Sequence, residues 1–284
     1  MTQLIDTLCF ITTHPLTRHT RIAALARFAS WQVRSRLREE LLVPWVHATR
    51  LAVRRGMTGA TGNIYCGLHE FADMGFLLHF LRPDDLFIDI GANIGSYTVL
   101  ASGVVGARSW AVEPDPSTVE RLARNVEVNG IDDKVVVYPF ALGDREGDVP
   151  FTIGLDTVNR VAAAGEPGTR MVRQRTLDAL TEGVEPRMIK MDVEGYEETV
   201  LEGADKTLGN ASLQALQTEA ISKDVEVTLG SAGFSRAFYD PFTRELSNQS
   251  SGLGSANALF VRDWALVIER VRSAPRVRVL GHLL

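Results

Sequence analysis

The chain has 284 residues, 45% of them hydrophobic and 23% charged, a balance that fits one globular domain with a sizeable core and excludes disordered and fibrous classes. Its two cysteines, Cys9 and Cys66, show no metal-ligand spacing, which excludes a disulfide scaffold and fits a reducing cytoplasm. The net charge of −5 conceals an asymmetry: residues 1–60 hold nine Arg against three acids, while the remainder carries −11, so the body of the chain should not attract nucleic acid.

The N-terminus, MTQLIDTLCFITTHP, lacks a basic stretch before its apolar run, and no run of apolar residues is long enough to span a bilayer. Residues 20–55 read as helical. Ile22, Leu25, Phe28, Ala29, Val33 and Leu37 recur at three- and four-residue spacing, with Arg21, Arg27, Arg34, Arg36 and Arg38 mostly off that stripe, and Pro44 ends or kinks the helix. Such a helix packs its stripe on the domain or on a second copy in a homodimer, or lies on the inner face of a membrane. Residues 56–63 (GMTGATGN) read as a glycine-rich hinge. A helix over 68–81 follows, closed by the turn Pro83-Asp84-Asp85.

From Leu86 the pattern alternates. Strands are predicted at 86–90, 108–112, 135–140, 188–192 and 213–218, with helices at 95–104, 116–129, 195–208 and 222–232. Short apolar strands alternating with helices imply an α/β fold with parallel strands covered on both faces. The segments 234–239 and 256–261 flank a Gly/Ser-rich loop and read as an antiparallel pair that completes a seven-stranded sheet. A last helix is predicted over 263–271.

One strand-to-helix junction carries the chemistry. In LFIDIGANIGSYT, a buried strand ends in Asp89, Gly91 permits a tight turn close to a ligand, and Gly95 opens the next helix. Glu113 closes the following strand as AVEPDP, where a carboxylate holds ribose hydroxyls in nucleoside sites. The spacing G-A-N-I-G, with Asn93 in place of a second glycine, disfavours a dinucleotide pyrophosphate. A nucleoside without phosphate, carrying an amino acid end, fits better; Asp89 is then a candidate for its ammonium.

DIGANIGSYT, AVEPDP, NVEVNG, FALGDREG and IKMDVEGYEETVLEGA, in that order and spacing from about Phe71 to Ile221, resemble the FkbM-type methyltransferases. The resemblance implies a Rossmann-like class I methyltransferase fold, S-adenosylmethionine as donor (S-adenosylhomocysteine as product) and a hydroxyl acceptor on a sugar of a glycolipid, saccharide or glycosylated natural product. Residues 71–284 then form the cofactor-binding domain, and residues 1–70 a helical extension that selects the acceptor or mediates association. By position, Asp89, Gly91, Asn93 and Gly95 form the cofactor loop, Glu113 and Pro114 the ribose end, and Ala141, Leu142 and Asp144 the adenine end. Asp192 and Glu194 follow the fourth strand, where methyl and acceptor meet.

Removal of the acceptor's proton needs a base. Asp192 ranks first, with Lys190 on the same strand face to keep it ionised, then Glu194, then Glu219 at the end of the fifth strand. Asp192 also reads as a helix cap, and Glu194 as an acid favoured by a helix N-terminus. Asp192 and Glu219 together suggest a site for a divalent cation, but no third ligand announces itself, and a metal is not favoured. Upstream, Tyr65, His69 and Glu70 are acceptor-pocket candidates, and Asn159-Arg160 in the loop 154–170 a lid. An RNA or protein nitrogen acceptor and a non-catalytic scaffold in polysaccharide assembly are the competing readings.

Overall fold

The computed structural model describes residues 2–154, 158–163, 165–219, 222–249 and 257–284. Parts of the predicted lid loop and the Gly/Ser-rich loop with Ala256 lie outside these.

Two helices open the chain, α1 (Thr2–Thr13) and α2 (Arg21–Leu37), followed by a hairpin of β1 (Leu41–Pro44) and β2 (Arg50–Val53). The long helix expected over 20–55 therefore ends at Leu37. The hairpin is fixed from outside its own sequence: the amides of Arg50 and Ala52 donate to Asn129 Oδ1 (2.8 Å) and Asn125 Oδ1 (2.7 Å) on the helix Pro116–Asn129. The glycine-rich stretch expected as a hinge is helix α3 (Thr58–Cys66), held by burial of Ala60, Tyr65 and Cys66, which outweighs weak helix propensity. Helix α4 (Phe71–Phe80) is buried on every side.

The main sheet begins with β3 (Leu86–Ile90), β4 (Arg108–Val112) and β5 (Val135–Tyr138). A separate small sheet follows, of β6 (Ala141–Leu142), β7 (Gly147–Thr152) and β8 (Thr169–Arg175). The main sheet resumes with β9 (Pro186–Met191), β10 (Ala215–Thr218), β11 (Ser235–Asp240), β12 (Glu245–Ser247) and β13 (Ala258–Val261). Its order is β12-β11-β13-β10-β9-β3-β4-β5, with β10, β9, β3, β4 and β5 parallel and the other neighbours antiparallel. The seven expected strands are all present, and β12 adds an eighth at the antiparallel edge.

Alternation along the central strands divides the core. Leu86, Ile88 and Ile90 of β3 pack with Ile189 and Met191 of β9 on one face; Phe87 and Met188 pack with α4 on the other. Asp89 and Lys190, paired in register across β3 and β9, share the α4 face. A third cluster joins Trp31 of α2, Leu41, Leu51, Val53 and Tyr65 to Ile94 in the loop after β3, so the first seventy residues brace that loop directly. At the far end, buried Arg244 donates to the carbonyls of Ala274 (2.6 Å), Pro275 (3.0 Å) and Leu284 (3.1 Å), pinning the C-terminal segment that no sequence pattern assigned.

Candidate active site

Strand order reverses between β9 and β3, and in open α/β sheets ligands bind beyond the carboxyl ends of the strands at such a point. A cavity of about 390 Å³ opens there. That volume suits a small-molecule ligand.

The loop after β3 is shaped by a close approach. Gly91 has φ +72°, and a Cβ there would lie 1.8 Å from the Asp192 carbonyl oxygen. Its amide and that of Ala92 both donate to the Val112 carbonyl, each at 3.0 Å, binding the loop to β4. Asn93 adopts φ +51°, a conformation tolerated by Asn, and its Oδ1 accepts from the Ile94 amide at 2.7 Å. Glu113 closes this end. Its carboxylate accepts from the amides of Asn93 (3.0 Å) and Asp115 (2.9 Å), yet burial pushes its pKa up to about 7. A buried carboxylate held rigid by two amides, with lone pairs left over, fits a ribose diol. Phe140, Ala141 and Leu142 supply an apolar wall next to it, fit for a purine.

Five further sequence candidates line the opposite end of the cavity: Glu70, Lys190, Asp192, Glu194 and Glu219. Buried Lys190 donates to Asp192 Oδ2 at 2.8 Å, and its Nζ lies 4.9 Å from the Tyr97 ring centre. The Tyr97 hydroxyl donates to Glu70. Burial alone would lower the Lys190 pKa, but the carboxylates of Asp192, Asp89 and Glu70 raise it, so the ammonium persists. For Asp192, burial is outweighed by Lys190, and its pKa falls below the usual range. Glu219 stands at the rim, hydrogen-bonded to Asp192; partial burial and the Asp192 charge push it up to about 8. Beside the ionised Asp192, Glu219 therefore favours its protonated form.

Glu194 does not begin a helix. It adopts φ +55° in a loop, and the helix starts at Glu197, whose carboxylate accepts from the Val193 amide at 3.2 Å. The predicted helix 195–208 is broken into Glu197–Glu202 and Asp205–Gly209, with Gly203 pressed against the Gly143 carbonyl. Burial and Asp192 raise the Glu194 pKa. Asp192, Glu194 and Glu219 present oxygens all within 4.8 Å of one another, so a third acid does stand where sequence showed none. Lys190 already offsets one charge of this cluster through its bond to Asp192.

The remaining candidates divide between the cavity wall and the surrounding core. Asp89 is buried behind the loop, off the cavity wall; its Oδ2 accepts from the Thr98 amide (3.1 Å) and hydroxyl (2.6 Å). Gly95, at φ +86°, faces Leu122 and not the cavity. Asp144 sits outside the wall beside Arg145. Tyr65 turns into the N-terminal core against Phe28. Arg160 pairs with Glu166 at 2.8 Å, while its neighbour Asn159 does reach the wall. His69 lines the cavity with its buried Nδ1 against Gly62, and burial lowers its pKa, which favours the neutral imidazole. Sequence reasoning missed Tyr97, Phe140, Phe151 and Tyr196. The signal for Tyr97 was its place one turn into the helix after the glycine loop.

A sheet with five parallel strands and a reversed edge, a cavity at its switch point and a Lys–Asp pair on the cavity wall are the architecture of a Rossmann-like methyltransferase. The family description "Methyltransferase FkbM domain" matches residues 89–234, just over half of the 284 residues. The chain belongs to this family and is an S-adenosylmethionine-dependent methyltransferase. Among characterised relatives, the hexuronic acid methyltransferase AglP of Haloferax volcanii is 29% identical over 164 residues, 56% of this chain and 67% of that protein. Solved structures with a similar fold include the precorrin-6y C5,15-methyltransferase of Geobacter metallireducens (15% identity, 74% of this chain and 92% of that chain, TM-score 0.39). Another is the TrmK protein of M. capricolum bound to S-adenosylhomocysteine (8% identity, 66% of each chain, TM-score 0.38). Among the described residues no helix is long and apolar enough to cross a membrane.

Proposed function

We propose that the chain transfers a methyl group to a hydroxyl of a sugar, in a saccharide or glycolipid. The observation that carries this reading is the cluster of Asp192, Glu194 and Glu219 on the cavity wall, their carboxylate oxygens within 4.8 Å of one another and Lys190 bonded to Asp192, an arrangement suited to taking a hydroxyl proton. The hexuronic acid named for the Haloferax relative supports a sugar.

S-adenosylmethionine, when bound, supplies an electrophilic methyl on a good leaving group. The chain's task is to place an oxygen in line with it, worth ~7–11 kcal/mol in favourable cases, more than a base contributes. Glu113 and the Gly91 loop fix the nucleoside end. Lys190 holds Asp192 ionised, and Asp192 orients Glu219, which takes the hydroxyl proton in its ionised form. This reverses the ranking by strand position, because the group tied to an ammonium is the weaker base. Four carboxyls against one ammonium make the acceptor end anionic. A sugar therefore enters with hydroxyls, not a carboxylate, towards Asp192.

Calorimetry is expected to show S-adenosylmethionine binding, and absence of heat at millimolar donor would sink the reading. Labelled methyl transfer onto glycolipid and saccharide fractions, with mass analysis of the product, tests the acceptor; label confined to RNA or protein would refute the sugar. Turnover is expected to survive EDTA, because the Lys190 ammonium already holds Asp192. Loss of activity restored by magnesium would place a cation there instead.

A further inference from the structure

The apolar stripe of α2 is divided by the fold. Ala24, Trp31 and Ser35 face inward and Leu25 and Phe28 are half-buried, but Ile22, Val33 and Leu37 are 86%, 59% and 76% exposed. Ala26 and Ala29 are exposed between them. Ile22, Ala26, Ala29, Val33 and Leu37 recur at three- and four-residue steps, so they form one continuous outward ridge along the helix. Arg21 and Arg36 flank it on one side and Arg34 on the other, all exposed, with Arg18 and Arg38 just beyond the ends. Helix α2 contains no carboxylate. Leu4 and Ile5 of the neighbouring α1 are also more than half exposed.

We infer that this ridge docks on the surface of an anionic lipid bilayer. The charge decides between coverings. An isologous contact with a second copy would bring α2 against itself and oppose its arginines, which is destabilising. Anionic headgroups complement those arginines while the ridge enters the acyl boundary. The segment 1–60 is positive in a chain otherwise strongly negative, so the field orients this face, and not the acidic body, towards such a surface. The docked helix is one layer from the cavity. Arg27 of α2 donates to the Tyr65 carbonyl at 2.9 and 2.7 Å, and α3, which carries Tyr65, contributes Gly59 to the cavity wall. The placement brings the acceptor end near a lipid-borne substrate, but the docking itself does not depend on the acceptor's identity.

Co-sedimentation of the full chain with vesicles of equal parts phosphatidylcholine and phosphatidylglycerol tests this. The protein is expected to pellet with these vesicles, to stay in the supernatant with phosphatidylcholine alone, and to be released by high salt. Val33→Asp is expected to lower partitioning at least about tenfold, and Arg36→Gln about fivefold. Val33→Asp should leave melting temperature and S-adenosylmethionine affinity unchanged, which separates docking from the catalytic reading. The inference is overturned by absence of pelleting with the anionic vesicles, or by equal pelleting of Val33→Asp and the parent. Light scattering that shows a dimer made monomeric by Val33→Asp would overturn it too, giving the ridge to a second copy.

Discussion

Gly91→Ala is expected to lower methyl transfer by ~10²-fold or more and to weaken S-adenosylmethionine binding, because two effects add at this position. A side chain at φ +72° costs ~1–2 kcal/mol even in open space. Space is not open: the new Cβ would lie 1.8 Å from the Asp192 carbonyl oxygen and 2.9 Å from its carbon. Both are backbone atoms, so no rotamer relieves the contact, and the ends of β3 and β9 must part. These two ends carry the donor loop and the acceptor-side acid, so a displacement harms alignment on both sides of the transfer. Gly95→Ala is the comparison. It has φ +86°, but its Cβ would meet only Leu122 Cδ1 at 2.4 Å, the far end of a side chain that can turn. Asn93→Gly loses the bond to the Ile94 amide and little else. The expected order of damage in donor affinity is Gly91→Ala, then Gly95→Ala, then Asn93→Gly. Parent-like affinity in Gly91→Ala would show that the loop does not constrain the donor.

The parts of the site legible in sequence are those set by local geometry. The strands β3, β4 and β9 are short, mostly buried runs rich in apolar residues because helices cover both of their faces, and such runs have few alternative readings. Lys190 and Asp192 follow from strand alternation alone, and they are indeed bonded. What could not be read depends on partners distant in the chain. The β1–β2 hairpin looks helical in isolation and is specified by Asn125 and Asn129. The apolar stripe of α2 implied a buried face. Its true inward face runs through Ala24, Trp31 and Ser35, since the surface it packs on is made by α3 and the hairpin. Tyr97, Glu70 and Lys190 come together from three elements, and no spacing rule announces that contact. Glu194 was read into a helix because acids favour first turns. The left-handed turn at Glu194 and Gly195 delays the helix to Glu197, which accepts the loop amide instead.

The raised pKa of Glu219 beside Asp192 has a kinetic signature. Glu219 titrates near 8, and a base acts only when ionised, so kcat/KM is expected to rise with pH through that value and then level off. Glu219→Gln preserves size and a hydrogen bond to Asp192 but cannot accept the proton. It is expected to reduce turnover by ~10²–10⁴-fold and to abolish the rising limb, with donor affinity unchanged. Asp192→Asn should act differently. Burial still raises Glu219, but removing that charge takes away the Asp192 repulsion, so the limb should survive at reduced rate with its midpoint moved down while staying above the ordinary glutamate value of ~4.3. It also leaves Lys190 buried beside only Asp89 and Glu70, so part of its effect is destabilisation, which melting will separate. The two pH profiles therefore divide the roles. Turnover that persists in Glu219→Gln without a rising limb would make Asp192 the base, because Lys190 keeps that carboxylate ionised across the range.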